Sequence, residues 1–341
     1  MFAGGPPIST LIVPQRQVSR LLPMDRCIAL MESVLASLSR GETLLPLRSI
    51  LWLPEKAGAL GLMPAFLGGE KALGVKVVSF FPRNEGTALD SHQGAVLLFD
   101  PETGSLLAVI DATSITAIRT AAVSGAATRA LAREDATDLA LVGSGVQART
   151  HLEAMLAVRP VRRVRVASHR PERAAAFARR ESARWNIPVE PASSVRAAVE
   201  GAEIICVATS SRTPVLQGDW ISAGAHVNAV GSSVASAREL DTDAVRRSRL
   251  YVDRRESAIA EAGDFVMAKN EGAIGDAHIV AEIGDVIAGS APGRGAAAEI
   301  TLFKSVGLAV EDVACARFLA DRAREEPDVL EIELGGARDE D

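Results

Sequence analysis

Residues 138–151 read DLALVGSGVQARTH. An apolar run meets three small positions, Gly143, Gly145 and Ala148, and then opens into a segment compatible with a helix. A parallel strand that ends in GxGxxA turns the N–H groups of the following helix start toward a pyrophosphate. The first glycine permits the tight turn, the second the close approach, and a small third residue lets the helix pack on its strand. The same pattern also occurs as a plain structural turn, so its surroundings decide. Here they are the expected ones: DLALV before, a helix after, and VRRVRVAS (161–168) as a second strand. Gly143, Ser144, Gly145, Val146 and Gln147 are therefore the expected phosphate-facing residues of a dinucleotide site.

The end of the second strand selects the nucleotide. A carboxylate there holds the ribose hydroxyls of NAD, whereas a 2′-phosphate needs a small residue and a cation. Ser168 occupies that end, followed by His169, Arg170 and Arg173, with no acid among them. An NAD(P) cofactor is expected, with a lean to NADP; the alternative is that Arg170 is simply a solvated residue opening the next helix.

Working outward, strands and helices alternate from DLALVG through RPERAAAFARRESARW, IPVE, SSVRAAVEG and AEIICVAT to AHVNAVGS. Such succession predicts a doubly wound parallel sheet with helical crossovers. Ahead of it the pattern differs. MDRCIALMESVLASL (24–38) is helical, and SILWL, LGLMPAFL, LGVKVVSFF and GAVLLF are short extended runs, with DPETGS as a hairpin turn before LLAVI. FKSVGLAVEDVACARFLADRA (303–323) is expected to be a long closing helix, and the last residues, EIELGGARDED, to fray. The fold class is thus α/β: a Rossmann-type domain over 121–304, inserted in a mixed α+β substrate and dimerisation domain made of 1–120 and 305–341.

Composition narrows the function. A chain of 341 residues, 48% hydrophobic and 23% charged, can bury a large core, and a net charge of −6 with mixed signs lacks the basic stripe of a nucleic-acid binder. Cys27, Cys206 and Cys315 have neither disulfide-framework nor zinc spacing, and no metal site is expected. No run approaches the roughly 18 apolar residues of a membrane span, and the N-terminus lacks a basic segment before its apolar residues. These features suit a cytoplasmic enzyme or binding protein.

Several long runs then resemble the ornithine cyclodeaminase and mu-crystallin family: SFFPRNEGTALDSHQGAVLLFDPETGSLLAVIDATSITAIRTAAVSGAAT, GSGVQA, HVNAVGSS with REL, and EITLFKSVGLAVED. The resemblance covers nearly the whole chain. It implies a homodimer, a substrate cleft between the two domains, and hydride exchange at the α-carbon of amino acids or their imines. It also places Arg48, Lys76 and Arg119 at the substrate site. That trio suits a small 2-imino acid, because a planar guanidinium grips a carboxylate bidentately. A lysine in the middle of such a half-buried strand is unusual; that Lys76 points to solvent by alternation is the other reading. Ser91 and His92, in the SHQ run, are implied near the cofactor; a structural loop histidine is the other reading. Thr120 is expected at a helix start facing phosphate, and Asp312 is read as a helix-surface acid in preference to a carboxylate orienting a lysine.

The sequence departs from true cyclodeaminases after NAVG, where they carry an acid two places beyond the glycine and this chain has Ser233. A serine hydroxyl cannot act as a base at neutral pH but can polarise an imine nitrogen. An imine reductase or amino-acid dehydrogenase is expected. A cofactor-recycling cyclodeaminase and a small-ligand binding protein are the alternatives.

Overall fold

The computed structural model describes residues 9–84 and 86–334. The residues before Ser9 and those beyond Leu334, where part of the expected fraying falls, lie outside the described residues. The described residues divide into two compact units: those within 1–30, 40–119 and 308–341 form the first, and those within 31–39 and 120–307 the second. Met31–Ser39, inside the stretch 1–120 assigned above to the substrate domain, groups with the second unit.

The first unit is built on a mixed sheet of β1 (Ser9–Val13), β2 (Thr43–Leu44), β3 (Ser49–Trp52), β4 (Ala59–Leu67), β5 (Ala72–Phe80), β6 (His92–Phe99) and β7 (Leu106–Asp111). β4 through β7 pair antiparallel in succession. The DPETGS hairpin forms because Asp100 Oδ1 accepts the N–H groups of Glu102 and Thr103. β4 alternates, with Ala59, Gly61, Met63, Ala65 and Leu67 buried, Leu60, Leu62 and Pro64 exposed between them and Phe66 half-buried, the period-2 pattern of a sheet covered on one face. The helix Ala309–Ala323 covers that face, packing on β4, β5 and β6.

The second unit is an eight-stranded, wholly parallel sheet. Its strands are β8 (Asp138–Val142), β9 (Arg163–Ala167), β10 (Val189–Pro191), β11 (Ile204–Val207), β12 (His226–Ala229), β13 (Arg249–Val252), β14 (Ile279–Glu282) and β15 (Thr301–Lys304). They lie in the order β10-β9-β8-β11-β12-β15-β13-β14. Apolar runs such as LALV and IICV are buried on both faces, as a parallel sheet with helices on either side requires. The order reverses at β8 and β11, and that switch point opens at the C-terminal strand ends.

Two expectations are corrected. The stretch 303–323 is not one helix: Thr301–Lys304 is the interior strand β15, paired with β12 and β13, and the helix begins only at Ala309. A short apolar run such as ITLF cannot be told from a buried helix by periodicity. Leu330–Glu333, expected to fray in part, forms β16 and pairs antiparallel with β1.

At the glycine corner Gly143 has φ +117°, and a Cβ placed there would lie 2.3 Å from the Ala208 carbonyl oxygen. A Cβ on Gly145 would meet nothing within 4 Å. Gly143→Ala is expected to cost about 2–4 kcal/mol in urea denaturation, and Gly145→Ala less than about 1 kcal/mol. Equal midpoints for the two variants would contradict the packing described.

Candidate functional site

In the first unit the structure joins two of the three expected cations and adds two acids. Lys76 sits on β5 opposite Met63 of β4 and Val96 of β6. It faces the closing helix and not solvent, and is 3% exposed. Arg119, on the helix Ala112–Leu131, is 4% exposed. Between them stands Asp312, in the first turn of the closing helix, fully buried. Its Oδ2 lies 2.6 Å from Lys76 Nζ, and its Oδ1 accepts Arg119 Nε at 3.0 Å. Glu311, also fully buried, accepts Arg119 Nη1 at 2.8 Å. The helix comes this close because β5 carries Gly74 on the same face, where a Cβ would fall 3.0 Å from Val313.

Asp312 is therefore not the helix-surface acid the sequence reading preferred. Helical phase does not single it out, because every residue from Ala309 to Ala316 is buried and the first half of the helix is covered on all sides. Glu311 was missed. Both acids also sit where a helix N-terminus stabilises negative charge.

The electrostatics follow from this geometry. Burial lowers Lys76 from its ordinary 10.5 to about 8, Arg119 pushes in the same direction, and Asp312 opposes both. Burial would lower Arg119 as well, but Asp312 and Glu311 outweigh it and hold the guanidinium above its usual range. With both acids ionised the four groups balance, two charges of each sign. Arg48 is half-buried, one residue ahead of Ser49, which pairs with Leu62 of β4. Continued by one residue, that register leads to Met63 and so to the Lys76 row. His92 opens β6; its ring packs on Phe80 at 4.7 Å between centroids and meets the Ser91 hydroxyl at 3.1 Å. Desolvation and then the Lys76 cation lower its pKa.

The second unit holds the glycine corner. Gly145 caps the helix Val146–Val158 without a side-chain hydrogen bond, and Gly145 and Val146 are exposed. First-turn N–H groups have no partner inside their own helix, and the space open at Gly145 fits the approach of a dinucleotide phosphate. Ser144 Oγ donates to Ser168 Oγ at 2.9 Å, tying the corner to the end of β9. His169 and Arg170 follow there, both exposed, with Arg170 capping the helix Pro171–Trp185. The residues present thus fit a nicotinamide dinucleotide. Ser233 lies in the loop after β12. Thr120 is not at a helix start: it lies deep within the helix Ala112–Leu131, where its N–H serves the helix ladder rather than a phosphate.

Removing the charge of a buried bridging acid strands its partners. Asp312→Asn is expected to cost roughly 3–5 kcal/mol in urea denaturation. Asp321→Asn, which breaks the exposed pair with Arg317, should cost no more than about 1 kcal/mol. Comparable losses would show that the buried bridge carries no special weight.

The pattern of the ornithine cyclodeaminase/mu-crystallin family matches residues 9–327. The chain is 41% identical over 294 residues to ketimine reductase mu-crystallin of Mus musculus, covering 85% of this chain and 90% of that protein. It is similar to the solved structure of Thermococcus litoralis Delta(1)-pyrroline-2-carboxylate reductase in complex with NADH and L-proline, with a TM-score of 0.92, 40% identity, and coverage of 95% of this chain and 100% of the other. An archaeal alanine dehydrogenase dimer with bound NAD matches with a TM-score of 0.91 and 32% identity, over 96% of this chain and 100% of that one. Sequence and fold agree along almost the full length, and the chain belongs to the ornithine cyclodeaminase/mu-crystallin family.

Proposed function

We propose that the protein is an NAD(P)H-dependent reductase of small 2-imino acids, giving L-amino acids. The observation that carries this reading is the buried Lys76–Asp312–Arg119 bridge, in which an ammonium that titrates at about 8 stands beside an oriented guanidinium. Reducing a C=N bond takes a hydride at carbon, a proton at nitrogen, and a fixed carboxylate to present one face. The reduced nicotinamide, when bound, supplies the hydride. Arg119, with Arg48, grips the planar carboxylate. Asp312 holds Arg119 and Lys76 in place, and such orientation supplies a large part of a rate. Lys76 passes its proton to the imine nitrogen, a transfer that its lowered pKa eases near neutrality. Ser233 is the hydroxyl that polarises that nitrogen.

The name of the mouse relative and the L-proline in the Thermococcus litoralis complex support a cyclic imine such as pyrroline-2-carboxylate; iminopyruvate and iminosuccinate are the further candidates. Ser168, His169 and Arg170 favour NADP, although the two solved relatives hold NAD(H). A homodimer in the cytoplasm completes the reading. The first unit exposes Leu51 at 64%, along with Ile50, Trp52, Leu60, Leu62 and Leu73, an apolar patch suited to an isologous contact. The archaeal relative is a dimer.

The test is oxidation of NADPH and NADH, followed by absorbance, with a panel of 2-imino acids. Net oxidation is expected with at least one imine; turnover of ornithine without net oxidation would point to the cyclodeaminase instead. Because the protonated amine is the donor, kcat/KM should fall as pH rises through about 8. Lys76→Arg should keep KM within a few-fold and lower kcat by about 10²–10⁴. Undiminished turnover of every imine by Lys76→Met would remove the mechanism. Arg170→Ala should weaken NADPH by about tenfold and leave NADH nearly unchanged, as expected for loss of one charge-assisted hydrogen bond; equal effects on both would end the lean to NADP.

A further inference from the structure

Three buried ionisable side chains of the second unit, Glu239, Asp264 and Lys304, have no part in the chemistry described above. Glu239 is fully buried. Its Oε1 accepts the Thr209 N–H at 2.6 Å and the Thr209 hydroxyl at 2.7 Å, and its Oε2 accepts the Gly231 N–H at 2.6 Å. Thr209 follows β11 and Gly231 follows β12, so one carboxylate ties together the C-terminal ends of two neighbouring parallel strands. The contact is close enough to require glycine: a Cβ on Gly231 would fall 2.2 Å from the Thr209 oxygen and 2.5 Å from Glu239 Cδ.

Glu239 is itself held from behind. Asp264 Oδ1 accepts the N–H groups of Glu239 and Leu240 at 2.7 and 2.9 Å, and Asp264 Oδ2 pairs with Lys304 Nζ at 2.8 Å. Asp264 and Lys304 are 2% and 1% exposed. Ser232 Oγ donates to the Ala237 carbonyl and closes the loop between Gly231 and Glu239. The assembly spans β11, β12 and β15 at the edge of the sheet where a dinucleotide lies.

Sheet order says which half of the dinucleotide that is. The glycine corner at the end of β8 takes the pyrophosphate, and the end of β9, with Ser168, takes the adenosine ribose. On the other side of the switch point lie β11 and β12, which leaves their ends for the nicotinamide half. The corner and this edge are continuous, since Ala208 abuts Gly143 and precedes Thr209.

We infer that Glu239, backed by Asp264 and Lys304, is a positioning residue that fixes the strand ends under the nicotinamide half of the cofactor, together with the loop that carries Ser233. The inference rests on the nicotinamide reading proposed above. Glutamine at this position keeps the shape but turns an amide donor toward an N–H donor, so one strand end must move while the adenosine side stays intact.

The experiment measures equilibrium binding of NADPH and NADH, and of 2′-phospho-ADP-ribose and ADP-ribose, which lack the nicotinamide ring. It compares the wild type with Glu239→Gln and with Thr209→Val, the milder variant that deletes the hydroxyl's bond to Glu239, and with it the bond that hydroxyl accepts from the Ser211 N–H, but keeps the backbone ties. Glu239→Gln is expected to weaken the full dinucleotides at least tenfold and the ring-less fragments less than twofold. Thr209→Val should show the same selectivity at a few-fold, which keeps the test open if the glutamine variant does not fold. Equal weakening of dinucleotide and fragment by both variants, or unchanged dinucleotide binding, would overturn the positioning role while leaving the cofactor reading intact. A wild type that binds neither would overturn the cofactor reading and this inference with it.

Discussion

One carboxylate holds the first unit's polar centre together. Asp312 reaches Lys76 with one oxygen and Arg119 with the other, and all three are withdrawn from water. A lone lysine at that depth would be driven toward its neutral form, and an unpaired guanidinium would be strongly disfavoured. The bridge lets both remain, at fixed positions, with Lys76 brought to about 8 rather than lower. Glu311 completes the balance on the arginine side.

The bridge depends in turn on backbone packing. Its acid comes from a helix late in the chain and its lysine from the middle of a strand, with Gly74 and Val313 setting how closely the two approach. Conserving side-chain type while enlarging that contact would pull the acid away from both cations. A buried ion lattice fails through geometry as readily as through loss of charge.

The second unit uses the same device differently, with carboxylates taking backbone N–H groups at the ends of parallel strands. Asp253, at the end of β13, accepts from Val306 and Gly307 at 2.7 and 2.8 Å. Glu239 and Asp264 do the same beside β11 and β12. Loops at that edge have no strand partners of their own, so buried acids satisfy their donors and set their shape. The result is a set of strand ends and loops tied to one another through buried carboxylates.

Local features of the sequence were enough for much of this. The glycine corner, the alternating βα succession, the alternation of β4 and the turn at Asp100 are short-range patterns. Each element follows from steric and burial preferences of residues close together in the chain. Lys76 and Arg119 were also visible, through long runs that resemble a family. The burial of Asp312 and the status of Thr301–Lys304 as a strand were not. Each depends on what covers a face, and that partner lies far away: Lys76 and Asp312 are separated by most of the chain, and β15 is a strand because β12 and β13 flank it. The sequence by itself determined the glycine corner and the alternating strand and helix succession around it. Only the tertiary structure decided which charges are buried together, because burial and ion pairing are properties of distant surfaces brought into contact and leave no periodic trace in either segment alone.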